Sequence, residues 1–273
     1  MKRIAIYGKG GIGKSTITSN ISACLGNSGY RILQVGCDPK HDSTFLLTST
    51  VEKTLLDMFR TGTPISKSNV CTTGKYGVDC IELGGPEPGI GCAGRGIIKG
   101  ISLVRETGIL EEGAYDLVLY DILGDIVCGG FFEPLRNGIS DEMYIVTSGE
   151  FNSLFAANNL CCGYVNNATQ FRDVKLKGII ANLRDVENEE YIVRKFCETI
   201  GVPLIATVPR DKRIEICSFK NAPILSEFPK SDVADIFREI SHKIVSNDTA
   251  ANRVSPLSFD ELRTLYTRWY NRV

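Results

Sequence analysis

Gly8-Lys9-Gly10-Gly11-Ile12-Gly13-Lys14-Ser15-Thr16 follows the apolar run Arg3–Gly8 and leads directly into a helical pattern over Lys14–Leu25. The stretch satisfies G-x-x-x-x-G-K-[ST] in the strand–loop–helix setting this motif requires. Its glycines let backbone N–H groups wrap a phosphate chain, and the following helix turns its positive end toward it. In that reading Gly8, Lys9, Gly10, Gly11, Ile12, Gly13, Lys14, Ser15 and Thr16 form a nucleotide site. Lys14 contacts the β- and γ-phosphates and the Ser15 hydroxyl holds Mg²⁺. The plain alternative, a glycine-rich turn with no ligand, is disfavoured because motif and context agree.

Outward from this loop, β-rich apolar runs recur at Arg31–Gly36, Asp116–Leu123, Glu142–Thr147, Leu176–Leu183 and Pro203–Val208. Between them Gly96–Thr107, Ser153–Asn166 and Glu190–Ile200 are long enough for crossover helices, and Ser231–Ser246 adds another. Near-continuous apolar strands alternating with helices predict a doubly wound α/β fold of the P-loop NTPase kind, with a mostly parallel sheet flanked by helices. No repeat or linker cuts the chain, so residues 1–273 read as one P-loop ATPase domain, with 248–273 a C-terminal extension. Within that extension Leu262, Leu265, Trp269 and Tyr270 fall near helical spacing, as for a helix covering its own sheet.

Lys+Arg total 31 against Asp+Glu 32, a net charge of −1, which offers no electrostatic case for nucleic acid or an anionic membrane. The start MKRIAIYGKGG enters a strand at once without an apolar run suited to a signal peptide or membrane span, so a cytoplasmic location is expected. Structural disulfides are uncommon there, which leaves 10 Cys to be buried apolar residues, reactive thiols or metal ligands. With only His41 and His242 present, His-dominated zinc catalysis is excluded as a main theme.

Two acidic segments complete the nucleotide machinery. Asp38, in CDPKHDST after the second strand, can meet Mg²⁺ or orient water, and Asp121 ends the run LVLY as a Walker B carboxylate, with Asp125 close behind. Such carboxylates also serve as helix caps, but here they stand where the sheet's ligand crevice belongs. Asn182 and the Pro209–Asp211 turn are placed at later strand ends, suited to the nucleotide base. Lys9, a second lysine within the loop, resembles the signature of the deviant Walker A ATPases, which are nucleotide-sandwich dimers. The resemblance implies that Lys9 crosses to the nucleotide of the other subunit; taken alone it also reads as a solvated basic residue.

Cys92 lies in GGPEPGIGCAGRG and Cys128 in DIVCGG, both flanked by glycines and followed by a predicted helix. A cluster held by thiolates carries negative charge, and close backbone N–H groups with helix N-termini stabilise it. No C-x-x-C pair occurs, yet two cysteines per chain make four across a twofold axis. Together GKGGIGKST, CDPK-x-DST, GGPEPGIGCAGRG, LGDIVCGGF and AANN stand in the order of the nitrogenase iron-protein family, which this chain resembles over residues 1–250. The resemblance implies a homodimer with one 4Fe-4S cluster between subunits, ligated by Cys92 and Cys128 of each, and MgATP in both. It further implies Lys9, Lys14, Ser15, Asp38 and Asp121 at the nucleotide, and Asp125 in a switch. Asn182 and Asp211 then lie near the base, and Arg95 on the face that docks an electron acceptor. A ferredoxin- or flavodoxin-type protein would supply the electrons. Asp121 and Cys128 are seven residues apart, at most about 25 Å, so one short segment joins the two sites.

GGPEPGIGCAGRG is nitrogenase-like, whereas CDPKHDSTF, with His41 and Phe45, resembles the light-independent tetrapyrrole reductases. This mixture points to a nitrogenase-like branch. The reductase component of nickel-sirohydrochlorin a,c-diamide reductive cyclase is favoured over nitrogenase iron protein proper, and over a protochlorophyllide or methylthio-alkane reductase component. The competing class is a non-redox partitioning ATPase, which the paired cysteine loops disfavour.

Overall fold

Buried apolar runs form β1 (Lys2–Gly8), β2 (Ile32–Gly36), β5 (Leu117–Leu123), β6 (Glu142–Thr147), β7 (Lys175–Asn182) and β8 (Leu204–Val208), with β3 (Thr72–Thr73) and β4 (Asp79–Glu82) between. They pair as one eight-stranded sheet in the order β3-β4-β2-β5-β1-β6-β7-β8. Every pairing is parallel except β3 with β4. The computed structural model describes residues 1–50, 53–85, 93–111, 113–125, 129–136, 138–246, 250–251 and 253–271. The helices are α1 (Lys14–Asn27), α2 (Phe45–Thr48), α3 (Leu55–Thr61), α4 (Lys67–Val70), α5 (Ala93–Glu106), α6 (Phe151–Asn166), α7 (Glu189–Ile200), α8 (Lys212–Phe219), α9 (Ile224–Glu227), α10 (Asp232–Ser246) and α11 (Phe259–Asn271).

Side-chain alternation along the central strands divides the core in two. Ile4, Ile6, Ile32, Leu117 and Leu119 pack with Ile17, Ile21, Phe237 and Ile240 of α1 and α10. Ala5, Tyr7, Leu33, Val35, Val118 and Tyr120 face Ile97, Ile101, Leu154, Leu160, Ile192 and Phe196 of α5, α6 and α7. Covering both faces removes the strands from water, which is why their sequences are nearly continuous apolar runs. The accessible surface is 12301 Å², in line with the scaling for a 30.0 kDa chain.

The six long strands and the crossover helices fall where the apolar pattern places them. The β3–β4 hairpin does not: two and four residues are too short to carry a period. After Cys128 the chain forms a 3-10 turn over Gly129–Leu135, containing Pro134, where a helix was expected. Pro134 lacks the N–H that a continuing α-helix would use. Helix α11 packs on α6 and α7 of its own chain. Leu262 and Trp269 are buried there, and Phe259 and Tyr266 meet the Phe151 ring edge-on. Asn158 fastens the approach to α11, donating to Leu257 O at 2.7 Å and accepting from Leu257 N at 2.8 Å. No helix among the described residues is long and apolar enough to cross a membrane.

Candidate nucleotide and cluster sites

The C-terminal ends of β1, β2, β5, β6, β7 and β8 share one edge of the sheet, and the phosphate loop leaves β1 at its centre. Gly13 takes φ 88°, a left-handed conformation that a side chain disfavours, and a Cβ there would also meet Asn182 Nδ2 at 2.5 Å. Asn182 donates to Ile12 O (2.7 Å) and Arg184 to Gly11 O (2.6 Å), so the residues after β7 hold the loop's outer limb.

The inner limb is held by the end of β5 and the residues after it. Asp121 Oδ1 accepts from Lys14 Nζ at 2.5 Å, with both side chains almost fully buried. Gly124 N donates to Gly8 O (2.8 Å), and Asp125 Oδ2 accepts from Gly10 N (2.8 Å). Three consecutive contacts therefore connect Asp121–Asp125 to the phosphate loop. Ser15 lies beside them, its Oγ 3.4 Å from Lys14 Nζ. Lys9 is partly exposed and makes no ion pair among the described residues.

A second layer of buried polar groups surrounds Asp121. Its Oδ2 accepts from Ser43 Oγ, while Ser43 O accepts from Ser19 Oγ (2.9 Å) and Gln34 Nε2 (3.0 Å). The neighbouring Thr44 donates to Glu82 Oε1 from both its backbone N (2.7 Å) and Oγ1 (2.8 Å). Burial pushes the Glu82 carboxyl up to about 8, against the two Thr44 bonds that favour its charge and with Asp121 and Asp42 adding to the rise. Asp38 is buried just beyond β2, where Oδ1 accepts from Lys40 N at 2.9 Å. Ser43 and Glu82 were not read from the sequence as site residues. Ser43 had a signal, the DST of the second acidic motif; Glu82 sits at the end of the unread strand β4.

A cavity of about 400 Å³ opens beside α1, lined by Gly13 and Thr16, by Asn182 and Arg184 after β7, and by Pro209 and Asp211 after β8. The three sequence-predicted base contacts, Asn182, Pro209 and Asp211, thus share one cavity. Asp211 caps α8 and is paired with Arg213 (2.6 Å), whose hydrogen bonds hold that carboxyl below its usual range. Arg213 also meets Asp232 at 2.6 Å. The loop geometry depends on Glu189, which was not anticipated. Its buried carboxyl accepts from the backbone N–H groups of Gly149 (2.9 Å), Arg184 (2.7 Å) and Val186 (3.1 Å).

Cys92 and Cys128 lie outside the described residues, but the chain on the helical side of each is described. Gly94 and Gly130 pack backbone to backbone: a Cβ at Gly130 would stand 2.7 Å from Gly94 Cα, C and O. Each cysteine is two residues along the chain from that contact. Helix α5 starts at Ala93, and a helix N-terminus favours anionic charge. Arg95 is exposed on the first turn of α5, with the half-exposed Ile98 one turn further.

The other eight cysteines are free thiols. Burial raises Cys24, Cys71 and Cys217 to about 11 and Cys197 to about 12, and pushes Cys37, Cys161 and Cys162 upward as well. Thiols held protonated are poor metal ligands. Among the described residues no group of three or more His, Cys, Asp or Glu could hold a metal ion.

Residues 2–271 match the family described as 4Fe-4S iron sulfur cluster binding proteins, NifH/frxC family. Nitrogenase iron protein 2 of Methanothermobacter thermautotrophicus is 43% identical over 269 residues, covering 98% of this chain and 98% of that protein. Nitrogenase iron protein 2 of Methanobacterium ivanovii is 44% identical over 247 residues, 90% of this chain and 91% of that one. Among solved structures, the MinD cell division protein of Aquifex aeolicus superposes with a TM-score of 0.67 at 18% identity, over 93% of this chain and 100% of that chain. A ParA family ATPase from Chlorobium tepidum superposes with a TM-score of 0.68 at 19% identity, over 88% and 98%. At those identities the structural likeness speaks for the fold alone.

Proposed function

Since the chain belongs to the 4Fe-4S iron–sulfur cluster binding proteins of the NifH/frxC family, we propose that Cys92 and Cys128 are the cluster ligands contributed by each subunit. The protein is an ATP-hydrolysing reductase component that binds MgATP and a 4Fe-4S cluster bridging a homodimer. It delivers electrons to a nitrogenase-like catalytic component. The observation that carries the ligand assignment is the backbone contact of Gly94 with Gly130, which joins the flanks of two loops distant in sequence. The cluster supplies a low-potential electron; the chain's own residues bind the nucleotide and govern its coupling to the cluster loops.

In this reading Gly8–Thr16 wraps the phosphates, Lys14 neutralises them, and Ser15 holds Mg²⁺. Lys9, with no ion pair among the described residues, reaches the partner's nucleotide. Asp38 and Asp121 orient water and metal. Asn182, Pro209 and Asp211 bound the base cavity. Asp125 reports on the loop through Gly10 and transmits its state along the three residues to Cys128. Arg95 leads the docking face. A ferredoxin- or flavodoxin-type donor and a cytoplasmic location complete the proposal.

We take the acceptor's reaction to be the reductive cyclisation of nickel-sirohydrochlorin a,c-diamide in coenzyme F430 synthesis. Its support is the departure at His41 and Phe45 from the nitrogenase-type motif. The second reading, nitrogenase iron protein proper, is favoured by the 43% and 44% identities to proteins of that name. Anaerobic trapping with ADP and aluminium fluoride, followed by identification of the captured protein, separates them. A tetrapyrrole-binding partner supports the first reading, and a molybdenum–iron partner overturns it.

A further inference from the structure

Strand register places two carboxyls on one level of the sheet. Glu82 of β4 pairs with Gly36 of β2, Gly36 with Asp121 of β5, and Asp121 with Ile6 of β1. Side chains at one level of adjacent parallel strands project to the same face. Glu82 and Asp121 therefore both rise toward α1, with Gly36 between them. A Cβ at Gly36 would collide with Glu82 Oε2 and come 2.7 Å from Ser43 Cβ, so a glycine there is what lets the two carboxyls approach one loop.

That loop is Asp38–Thr44, and its last two residues are divided between them. Ser43 donates to Asp121 and Thr44 donates twice to Glu82. Glu82 is 1% exposed, and its Oε2 has no hydrogen-bond partner among the described residues. The strand carrying it runs on into a confined turn. Leu83 N donates to Gly36 O (2.9 Å), and a Cβ on Gly85 would stand 2.5 Å from Pro39 Cβ. Arg60 Nη1 donates to Gly85 O at 2.9 Å. The loop thus grips this turn at both ends, through Thr44 on Glu82 and through Pro39 on Gly85.

We propose that Glu82 is a positioning residue that ties the loop Asp38–Thr44 to the chain leading into Cys92. Cys92 thereby has its own connection to nucleotide state, parallel to the one that Asp121–Asp125 gives Cys128. Asp121 and Cys128 are seven positions apart and Glu82 and Cys92 ten, so each cysteine loop starts from a carboxyl bound to the same Ser43–Thr44 pair. A movement of that pair pulls on both loops at once, which a cluster shared by two cysteines per chain requires if it is to shift as a unit. The proposal rests on the reading of Cys92 as a ligand.

The test is the rate at which bipyridyl removes iron from the anaerobic homodimer, with and without MgATP. Glu82→Ala should retain wild-type iron and a wild-type rate without nucleotide, while the MgATP-induced acceleration falls about tenfold, as expected for loss of two buried hydrogen bonds. Glu82→Gln keeps an oxygen that accepts both Thr44 bonds and should restore most of the response. Thr44→Val removes the hydroxyl bond alone and should cost about threefold. Wild-type acceleration in Glu82→Ala or in Thr44→Val overturns the proposal, as does a response lost as fully in Glu82→Gln as in Glu82→Ala. Should Glu82→Ala fail to assemble, Thr44→Val decides by the same criterion. Full iron retention in Cys92→Ser would instead defeat the ligand reading, whatever the Glu82 variants do.

Discussion

The phosphate end and the cluster end of this molecule are built on opposite plans. Gly8–Thr16 is one continuous motif, and its partners at Asp121, Asp125, Asn182 and Arg184 bind it by individual hydrogen bonds of 2.5–2.8 Å. The proposed cluster end is assembled from separate stretches: among the described residues, the chain after Cys92 and the chain after Cys128 come together where Gly94 and Gly130 pack backbone to backbone. A local site tolerates the loss of one outer contact, whereas a site made by convergence is lost when the convergence fails.

That contrast is broken most severely at Gly130. Gly130→Val forces side-chain atoms into the Gly94 backbone, and the dimer should lose nearly all its iron while still binding MgATP, as iron analysis and a nucleotide titration would show. Retained iron would mean that this contact does not set the cysteine geometry. The reciprocal change is Lys14→Gln. Here ATP hydrolysis should fall by at least about a hundredfold, the scale of removing one charge-stabilising donor, with iron content intact. Measured together, the two variants should dissociate the functions in opposite directions.

A smaller effect is expected away from both ends. Trp269 is buried at the end of α11, and Trp269→Ala should cost about 3–5 kcal/mol of stability in a denaturant titration. Its iron content and nucleotide response should match the wild type, since α11 packs on α6 and α7 and not on the loops at issue. A further effect is one of pH. A Glu82 carboxyl at about 8 in the folded protein, against 4.5 for the ordinary group, binds more protons folded than unfolded across that window. The stability it contributes is complete below the unfolded value and is lost as pH rises through the folded one. Glu82→Gln, which cannot ionise, should flatten that decline between about pH 5 and 8 in parallel thermal melts.

The same contrast explains what the sequence disclosed. Gly8–Thr16 and the six long strands were legible because a local motif and a sustained apolar run each carry their meaning in consecutive residues. The cavity beside α1 was legible in outline, since Asn182 ends a readable strand and Pro209 and Asp211 follow another. Glu82 was hidden because β4 has four residues and its importance comes from the register with Gly36 and Asp121, a relation across strands far apart in the chain. Glu189 was hidden for a similar reason: a glutamate opening a helix looks like an ordinary first-turn acid, yet this one gathers three backbone N–H groups from two loops. The Gly94–Gly130 contact is the extreme case, with 35 residues between its members and no side chain on either.

In the proposed function, nucleotide state reaches the cluster through the segment that begins at Asp121 and touches the phosphate loop at Gly8 and Gly10. The most direct measurement is bipyridyl chelation of iron from anaerobic Asp125→Ala dimer, with and without MgATP. The variant should hold wild-type iron and lose the nucleotide-dependent change in chelation rate, because Gly10 no longer has its partner across the 2.8 Å bond. Chelation that MgATP accelerates as strongly as in the wild type would contradict the account.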